Sequence, residues 1–386
     1  MICVFLTRGL VAFAVDTLND PLVMYQWGWL RIHCDQAYET GWHGSSVIVA
    51  VLDTGVDTEH PDLKDNLVEG YNFVDKNNDV TDLDGHGTMV AGIIAAVANN
   101  SMGIVGVAPQ VKIMPLKVLT SEGGNWVDLD LAILYAANHG AKIITMSLGG
   151  KYSLLGAATE AAIKYVYQQG CVLIAAAGND NSSDPFYPAA YDEVIAVSAI
   201  DQNDTKASFS NYGNYIDLCA PGVNIISTAL NGTYAYGSGT SFAAPFVAGV
   251  AALLLSKNPD QTPQNVAETL YNQAEDLGEN SWDPYYGWGL VDAYSAVSQP
   301  PIPEFPNLFF FIPVLILIII VTEQAKQKMP LRLSDTRFTS LFDSRLLWLH
   351  LGKTSKMRLL CLLIFLGIGR EHTSDKNFMC GRTALV

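Results

Sequence analysis

An α/β fold, three layers deep and built on a mostly parallel, doubly wound sheet, is what this sequence predicts. Short apolar runs rich in β-branched residues recur at 47–52, 111–118, 143–146, 172–176 and 194–197. Segments with helical spacing fall at about 86–97, 127–138, 154–168, 241–255 and 263–273. Strand-sized runs separated by helix-sized ones imply parallel strands joined by helical crossovers, with both sheet faces covered. Composition agrees: of 386 residues 49% are hydrophobic, 16% are charged and 32 are glycine, which suits a large and tightly packed core.

Residues 1–15 are largely apolar, and Ala12-Phe13-Ala14 has the small-residue pattern of a leader cleavage site. Arg8 interrupts that run, so 1–18 is expected to be a signal or prosegment remnant. The run at 47–52 ends in Asp53. In open parallel sheets ligands bind beyond the carboxyl ends of strands, which places Asp53 well for chemistry. In Asp84-Gly85-His86-Gly87-Thr88-Met89-Val90-Ala91-Gly92, a histidine between glycines opens a small-residue helix that other chain segments can approach closely. Asn179 closes Ala175-Ala176-Ala177-Gly178-Asn179, just past the run at 172–176.

Ser241 lies in Gly239-Thr240-Ser241-Phe242-Ala243-Ala244-Pro245, at the head of a wholly apolar helical run. Free N–H groups and the positive end of the helix dipole favour a developing oxyanion there. Taken alone, Ser241 reads equally well as a helix cap. Together, an aspartate, a histidine and a serine are the three parts of a base-activated nucleophile.

Charge is uneven. Residues 1–299 carry 11 basic and 32 acidic side chains and the remainder 11 and 6, for a net charge of −16. An acidic body argues against nucleic acid as a partner and fits equally cation binding or a saline or otherwise demanding exterior. The six cysteines have no metal-like spacing and suggest no disulfide framework. Cys34, Cys171 and Cys219, in apolar surroundings, are expected to be small core residues.

After Val297 the character changes. Residues 299–306, Gln299-Pro300-Pro301-Ile302-Pro303-Glu304-Phe305-Pro306, form a proline-rich linker. Residues 308–321 are wholly apolar, broken by Pro313. The span 307–322 is expected to cross a membrane, because a core helix rarely follows such a linker at the end of a finished domain. Lys326, Lys328, Arg332 and Arg337 come next, which puts the tail 323–386 in the cytoplasm and residues 19–298 outside.

The stretches Val51-Leu52-Asp53-Thr54-Gly55, Gly85-His86-Gly87-Thr88 and Gly239-Thr240-Ser241 resemble the three signature motifs of the subtilisin-like serine proteases, in that family's order. Similarity to thermitase-like members extends through Asn19-Asp20-Pro21, Lys206-Ala207-Ser208-Phe209-Ser210-Asn211-Tyr212-Gly213 and Ala220-Pro221-Gly222-Val223. The resemblance covers residues 19–298 and implies a subtilisin-type fold. It assigns Ser241 as nucleophile, His86 as base and Asp53 as the residue that orients it. Asn179 would form an oxyanion hole with the backbone N–H of Ser241; a plain turn asparagine is the alternative.

An extended substrate would lie between Ser147-Leu148-Gly149 and Gly123-Gly124-Asn125. Ala176, Ala177 and Gly178 would wall the pocket for the residue before the scissile bond. Phe186 would floor it and favour small or medium side chains. Two positions depart from the family. Met89 replaces a common histidine, and Phe242 replaces an oxidation-prone methionine.

The loop Ala98-Asn99-Asn100-Ser101-Met102-Gly103-Ile104 resembles the family's calcium loop. Carbonyls of Ala98, Met102 and Ile104, the Asn100 side chain and the carboxylates of Asp20 and Asp62 would hold calcium. A second, weaker site is suggested by Asp75, Asn77, Asp79 and Asp82; a solvated acidic turn is the equal alternative. The expectation is a calcium-stabilised, broad-specificity serine endopeptidase acting on polypeptides, with a monomeric catalytic domain, secreted or anchored outside the cytoplasm. The rivals are an anchored processing protease of narrow range and a catalytically silent peptide-binding scaffold.

Overall fold

The computed structural model describes residues 18–151 and 156–298. The chain divides into two units, Met1–Pro303 and Glu304–Val386, and every described residue lies in the first. The expected leader segment 1–18, save Leu18, and the expected linker, membrane segment and tail lie outside the described residues.

The elements run in order α1 (Trp27–Arg31), α2 (Cys34–Tyr38), β1 (Ile48–Asp53), β2 (Tyr71–Asn72), α3 (His86–Ala95), β3 (Lys112–Lys117), β4 (Leu119–Thr120), β5 (Gly123–Gly124) and α4 (Trp126–Asn138). They continue with β6 (Ile143–Met146), α5 (Gly156–Gln168), β7 (Val172–Ala176), β8 (Val194–Ile200), β9 (Leu218–Pro221), β10 (Ile225–Ala229), β11 (Thr233–Gly237), α6 (Thr240–Lys257), α7 (Pro263–Gln273) and α8 (Ala293–Ser298).

Seven strands form one sheet in the order β2-β3-β1-β6-β7-β8-β9, and each neighbouring pair is parallel. The β-branched strand β1 sits inside it and shows why both faces must be covered. Successive side chains of a strand point to opposite faces. Val49 and Val51 join the core that holds α3 and α6, while Ala50 and Leu52 join the core that holds α4 and α5. The result is helix, sheet, helix. Two short antiparallel ribbons, β4-β5 and β10-β11, stand outside the sheet. They and β9 were not expected from the sequence, because their residues are too small or too polar to read as apolar runs.

Helix α6 is 18 residues long, and 83% of it is buried. It is long and apolar enough to cross a membrane, and it is the core helix of this fold. Its burial explains its lack of a polar face. Cys34, Cys171 and Cys219 are free and buried, as expected of small core residues.

From β1 the chain runs through β2 and β3 on one side of that strand and then crosses to β6 on its other side. Where the winding direction reverses, a crevice opens at the carboxyl ends of the strands. Asp53 ends β1, Ser147 follows β6, and Asn179 lies three residues beyond β7.

Candidate active site

Asp53 is 1% exposed, held by its place at the end of a central strand. Its Oδ1 accepts from the Thr54 N–H at 2.8 Å and meets His86 Nδ1 at 2.7 Å. Its Oδ2 is buried with no partner among the described residues. The charge of this carboxylate is therefore directed at the imidazole. Burial opposes a charge on His86, but Asp53, Asp84 and Asp82 outweigh it and raise the imidazole above its ordinary value. Close approach of α3 to β1 requires Gly87, where a Cβ would collide with the Gly55 carbonyl.

Ser241 sits in the first turn of α6. Its hydroxyl donates to the Ser147 carbonyl at 3.1 Å, so reaching His86 requires rotation about its Cα–Cβ bond. In return, the Ser147 hydroxyl donates to the Ser241 carbonyl at 2.8 Å. That carbonyl would ordinarily be bonded by the N–H four residues on, but residue 245 is proline and has none. The buried Ser147 hydroxyl supplies the missing donor. Phe242 packs edge-on to His86, with ring centroids 5.6 Å apart. Met89 packs against the core beneath, a structural position.

Asn179 is oriented by a residue the sequence did not single out. Its Oδ1 accepts from the Thr240 N–H at 2.9 Å and the Thr240 hydroxyl at 3.0 Å. The same hydroxyl accepts from Gly178 N–H at 3.1 Å. With its oxygen fixed inward, the exposed Asn179 turns its NH₂ away from Thr240, and no acceptor among the described residues takes its protons.

Ala176 and Ala177 are buried, and the Phe186 ring fits against Gly149 and Gly178, where any Cβ would run into it. Phe186 is thus brought to the stretch expected to wall the pocket and to one of the two expected to flank the substrate. Opposite, Gly123 and Gly124 are exposed in β5, and Asn125 caps α4 by accepting from the Asp128 N–H at 2.9 Å. That cap gives Asn125 a structural task. Leu148 packs partly buried against the α4–α5 core.

The Asp20 and Asp62 carboxylates meet at the loop 98–104. They are 2% and 0% exposed. Asp20 accepts from Asn99 N–H at 2.8 Å and Asn100 N–H at 3.2 Å. Asp62 accepts from Asn100 Nδ2 at 2.6 Å, Tyr234 hydroxyl at 3.1 Å and Ile104 N–H at 3.2 Å. Burial pushes both carboxyls above their ordinary value. No cationic side chain pairs with either among the described residues. There too, no donor is seen on the carbonyls of Ala98, Met102 and Ile104, although Ile104 is fully buried. Two sequestered carboxylates, an amide and free carbonyls are a donor set that suits a hard cation.

The other acidic turn differs. Asp75, Asn77 and Asp79 make local bonds: Asn72 Nδ2 to Asp75, Asp79 N–H to Asn77, Thr81 N–H to Asp79. Asp82 does not join them. Both its oxygens point at the head of α3, where internal donors occupy them. The expected second cation site therefore loses Asp82, whose lone pairs are committed elsewhere.

A histidine held by a buried carboxylate, a serine at a helix head and an oriented amide, on the carboxyl ends of a parallel sheet, define the class of serine hydrolases. A family model described as "Subtilase family" matches residues 44–289. Thermitase of Thermoactinomyces vulgaris is 44% identical over 283 residues, covering 73% of this chain and 99% of that protein. The thermophilic serine proteinase of Bacillus sp. (strain AK1) is 43% identical over 287 residues, covering 74% of this chain and 70% of that protein. A solved protease from Pseudoalteromonas arctica PAMC 21717 superposes with a TM-score of 0.68 at 33% identity, covering 73% of this chain and 99% of that one.

The chain belongs to the subtilase family. It has the subtilisin-type α/β fold and is a subtilisin-like serine endopeptidase, a hydrolase acting on polypeptides. Neither a silent scaffold nor a narrow processing protease is favoured by these relationships.

Proposed function

We propose that Ser241, His86, Asp53 and Asn179 carry the hydrolysis, with broad specificity and structural calcium. The observation that carries this reading is the 2.7 Å bond between His86 Nδ1 and the buried Asp53 carboxylate. It fixes the tautomer that leaves Nε2 as the base. Ser241 Oγ attacks the substrate carbonyl carbon while its proton passes to His86. The oxyanion is met by Asn179 Nδ2 and the backbone N–H of Ser241. As the C–N bond breaks, His86 gives the proton to the leaving amine, and an acyl-enzyme remains. Water, deprotonated by the same histidine, then releases the acid and restores Ser241. His86 must be neutral to act as base. Its raised value places the acid limb of kcat/KM above the ordinary imidazole range.

Substrate binds extended along Ser147-Leu148-Gly149 and Gly123-Gly124-Asn125, and Phe186 shortens the pocket walled by Ala176, Ala177 and Gly178. Asp20, Asp62, Asn100 and the carbonyls of Ala98, Met102 and Ile104 would hold calcium, whose role is to offset the burial of two carboxylates. Residues 19–298 form the peptidase domain, lying outside the cytoplasm as a monomer and either secreted or tethered through 307–322. The acidic body and the basic cluster from Lys326 to Arg337 support that placement.

Labelling of the full chain by a fluorophosphonate probe in calcium tests the reading. Wild type should label and Ser241→Ala should not, with turnover down by on the order of 10⁵–10⁶. A folded wild type that resists the probe would overturn it.

A further inference from the structure

The head of α3 is built around one buried carboxylate. Asp82 is 3% exposed. Its Oδ1 accepts from Thr54 Oγ1 at 2.9 Å, Gly85 N–H at 2.9 Å and Asp84 N–H at 3.0 Å. Its Oδ2 accepts from Thr88 N–H at 2.9 Å and Thr88 Oγ1 at 2.6 Å. Thr54 Oγ1 in turn accepts from Gly87 N–H at 2.9 Å. The donors on both sides of His86 are thus tied to Asp82 or to Thr54, and Thr54 is the neighbour of Asp53.

The first N–H groups of a helix lack partners within it. A carboxylate among them is favoured by the helix dipole and by charge-assisted bonds. Here that carboxylate also grips the strand end that carries Asp53. One side chain therefore sets the separation between β1 and the residue that opens α3, which is the separation the Asp53–His86 bond depends on. It does so without touching the imidazole.

We propose that Asp82 is a positioning residue for catalysis, which locks His86 to Asp53 through Thr54 and the first turn of α3. This rests on the assignment of His86 as base and Asp53 as its orienting residue. Loss of probe labelling in His86→Ala and its weakening in Asp53→Ala test that assignment first, so failure of the two ideas can be told apart.

The test is Asp82→Asn in the full chain with calcium, normalised by titration of reactive Ser241. The amide keeps the size of the carboxylate, but it sets an NH₂ against one of its present donors. A misplacement of about 1 Å can cost a reaction roughly 10²-fold. The expected result is a kcat lower by about 10- to 100-fold with KM within about two-fold. The charged groups facing His86 are Asp53, Asp82 and Asp84. Removing one negative charge should also move the acid limb of kcat/KM to lower pH.

Asp82→Glu separates charge from reach: the limb should stay near that of wild type while kcat still falls. Thr54→Val removes the hydroxyl that bridges Asp82 and Gly87. It should lower kcat in the same manner, and it carries the test should Asp82→Asn not fold. An unchanged kcat per titrated site, with only the melting temperature lowered, would show a purely structural aspartate and overturn the proposal. Recovery of Asp82→Asn by added calcium would overturn it as well, by making Asp82 a cation ligand.

Discussion

Two regions of this molecule bury carboxylates, and they satisfy them differently. At the head of α3, Asp82 finds five donors within the chain, each fixed by backbone or by a neighbouring threonine. At the loop 98–104, Asp20 and Asp62 are as deeply buried but have two and three donors, beside carbonyls with none among the described residues. A buried carboxylate needs its charge met by hydrogen bonds or by a cation. The first region meets it internally and becomes rigid, which suits catalysis. The second leaves carbonyls without donors among the described residues, the kind of oxygen the proposed calcium would use.

The comparison predicts that substitutions will separate turnover from stability. Asn179→Ala removes the proposed oxyanion donor, which is likewise held by internal bonds, here to Thr240. It should lower kcat by about 10²–10³ while the melting temperature holds. A joint fall of both would mean that the Thr240–Asn179 clamp is structural.

Chelation should do the reverse. Calcium at about a hundred times its Kd contributes roughly 2.7 kcal/mol, so its removal should lower the melting temperature by several degrees. Asp62→Asn should abolish that dependence and leave the kcat of folded enzyme unchanged. Scanning calorimetry with and without chelator reads both.

Phe186→Ala should leave turnover of small substrates intact and improve kcat/KM about 10-fold for aromatic residues before the scissile bond. Kinetics on a panel of peptides decides, and no gain on aromatics would refute the pocket floor. The smallest effect concerns oxidation. Phe242 offers peroxide no sulfur beside His86, whereas Met102 is 38% exposed in the loop 98–104. Peroxide should therefore spare early activity and lower thermal stability, as activity and melting curves taken on the same samples would reveal. Rapid loss of activity at constant melting temperature would reverse the contrast.

Much of this was legible in the chain. Apolar runs and helical spacing located β1, β3, β6, β7, β8 and the helices α3 to α7, because burial on two faces leaves its mark on composition. Asp53, His86 and Ser241 announced themselves through their glycines and their order. Asn179 was suggested by the resemblance of Ala175–Asn179 to the family's stretch, with its place beyond a strand in agreement.

Other assignments went astray for one reason: a side chain's partners are set by the fold, not by its neighbours in sequence. Asp82 looked like the end of an acidic turn with Asp75, Asn77 and Asp79. Its position four residues before a helix-opening histidine was the available signal for a capping role. Asn125 read as substrate edge and proves also to cap α4. Thr240 gave no signal, since its clamp on Asn179 joins segments 61 residues apart.

By itself, then, the sequence determined the layered parallel fold, through hydrophobic periodicity, and the family, through its three motifs, and it nominated the candidate reactive groups. Only the tertiary structure decided which buried carboxylates are satisfied from within. That depends on donors brought together across long sequence separations, such as Thr54 with Asp82 and Ser147 with Ser241. Those pairings arise when strand ends and helix heads meet at one edge of the sheet.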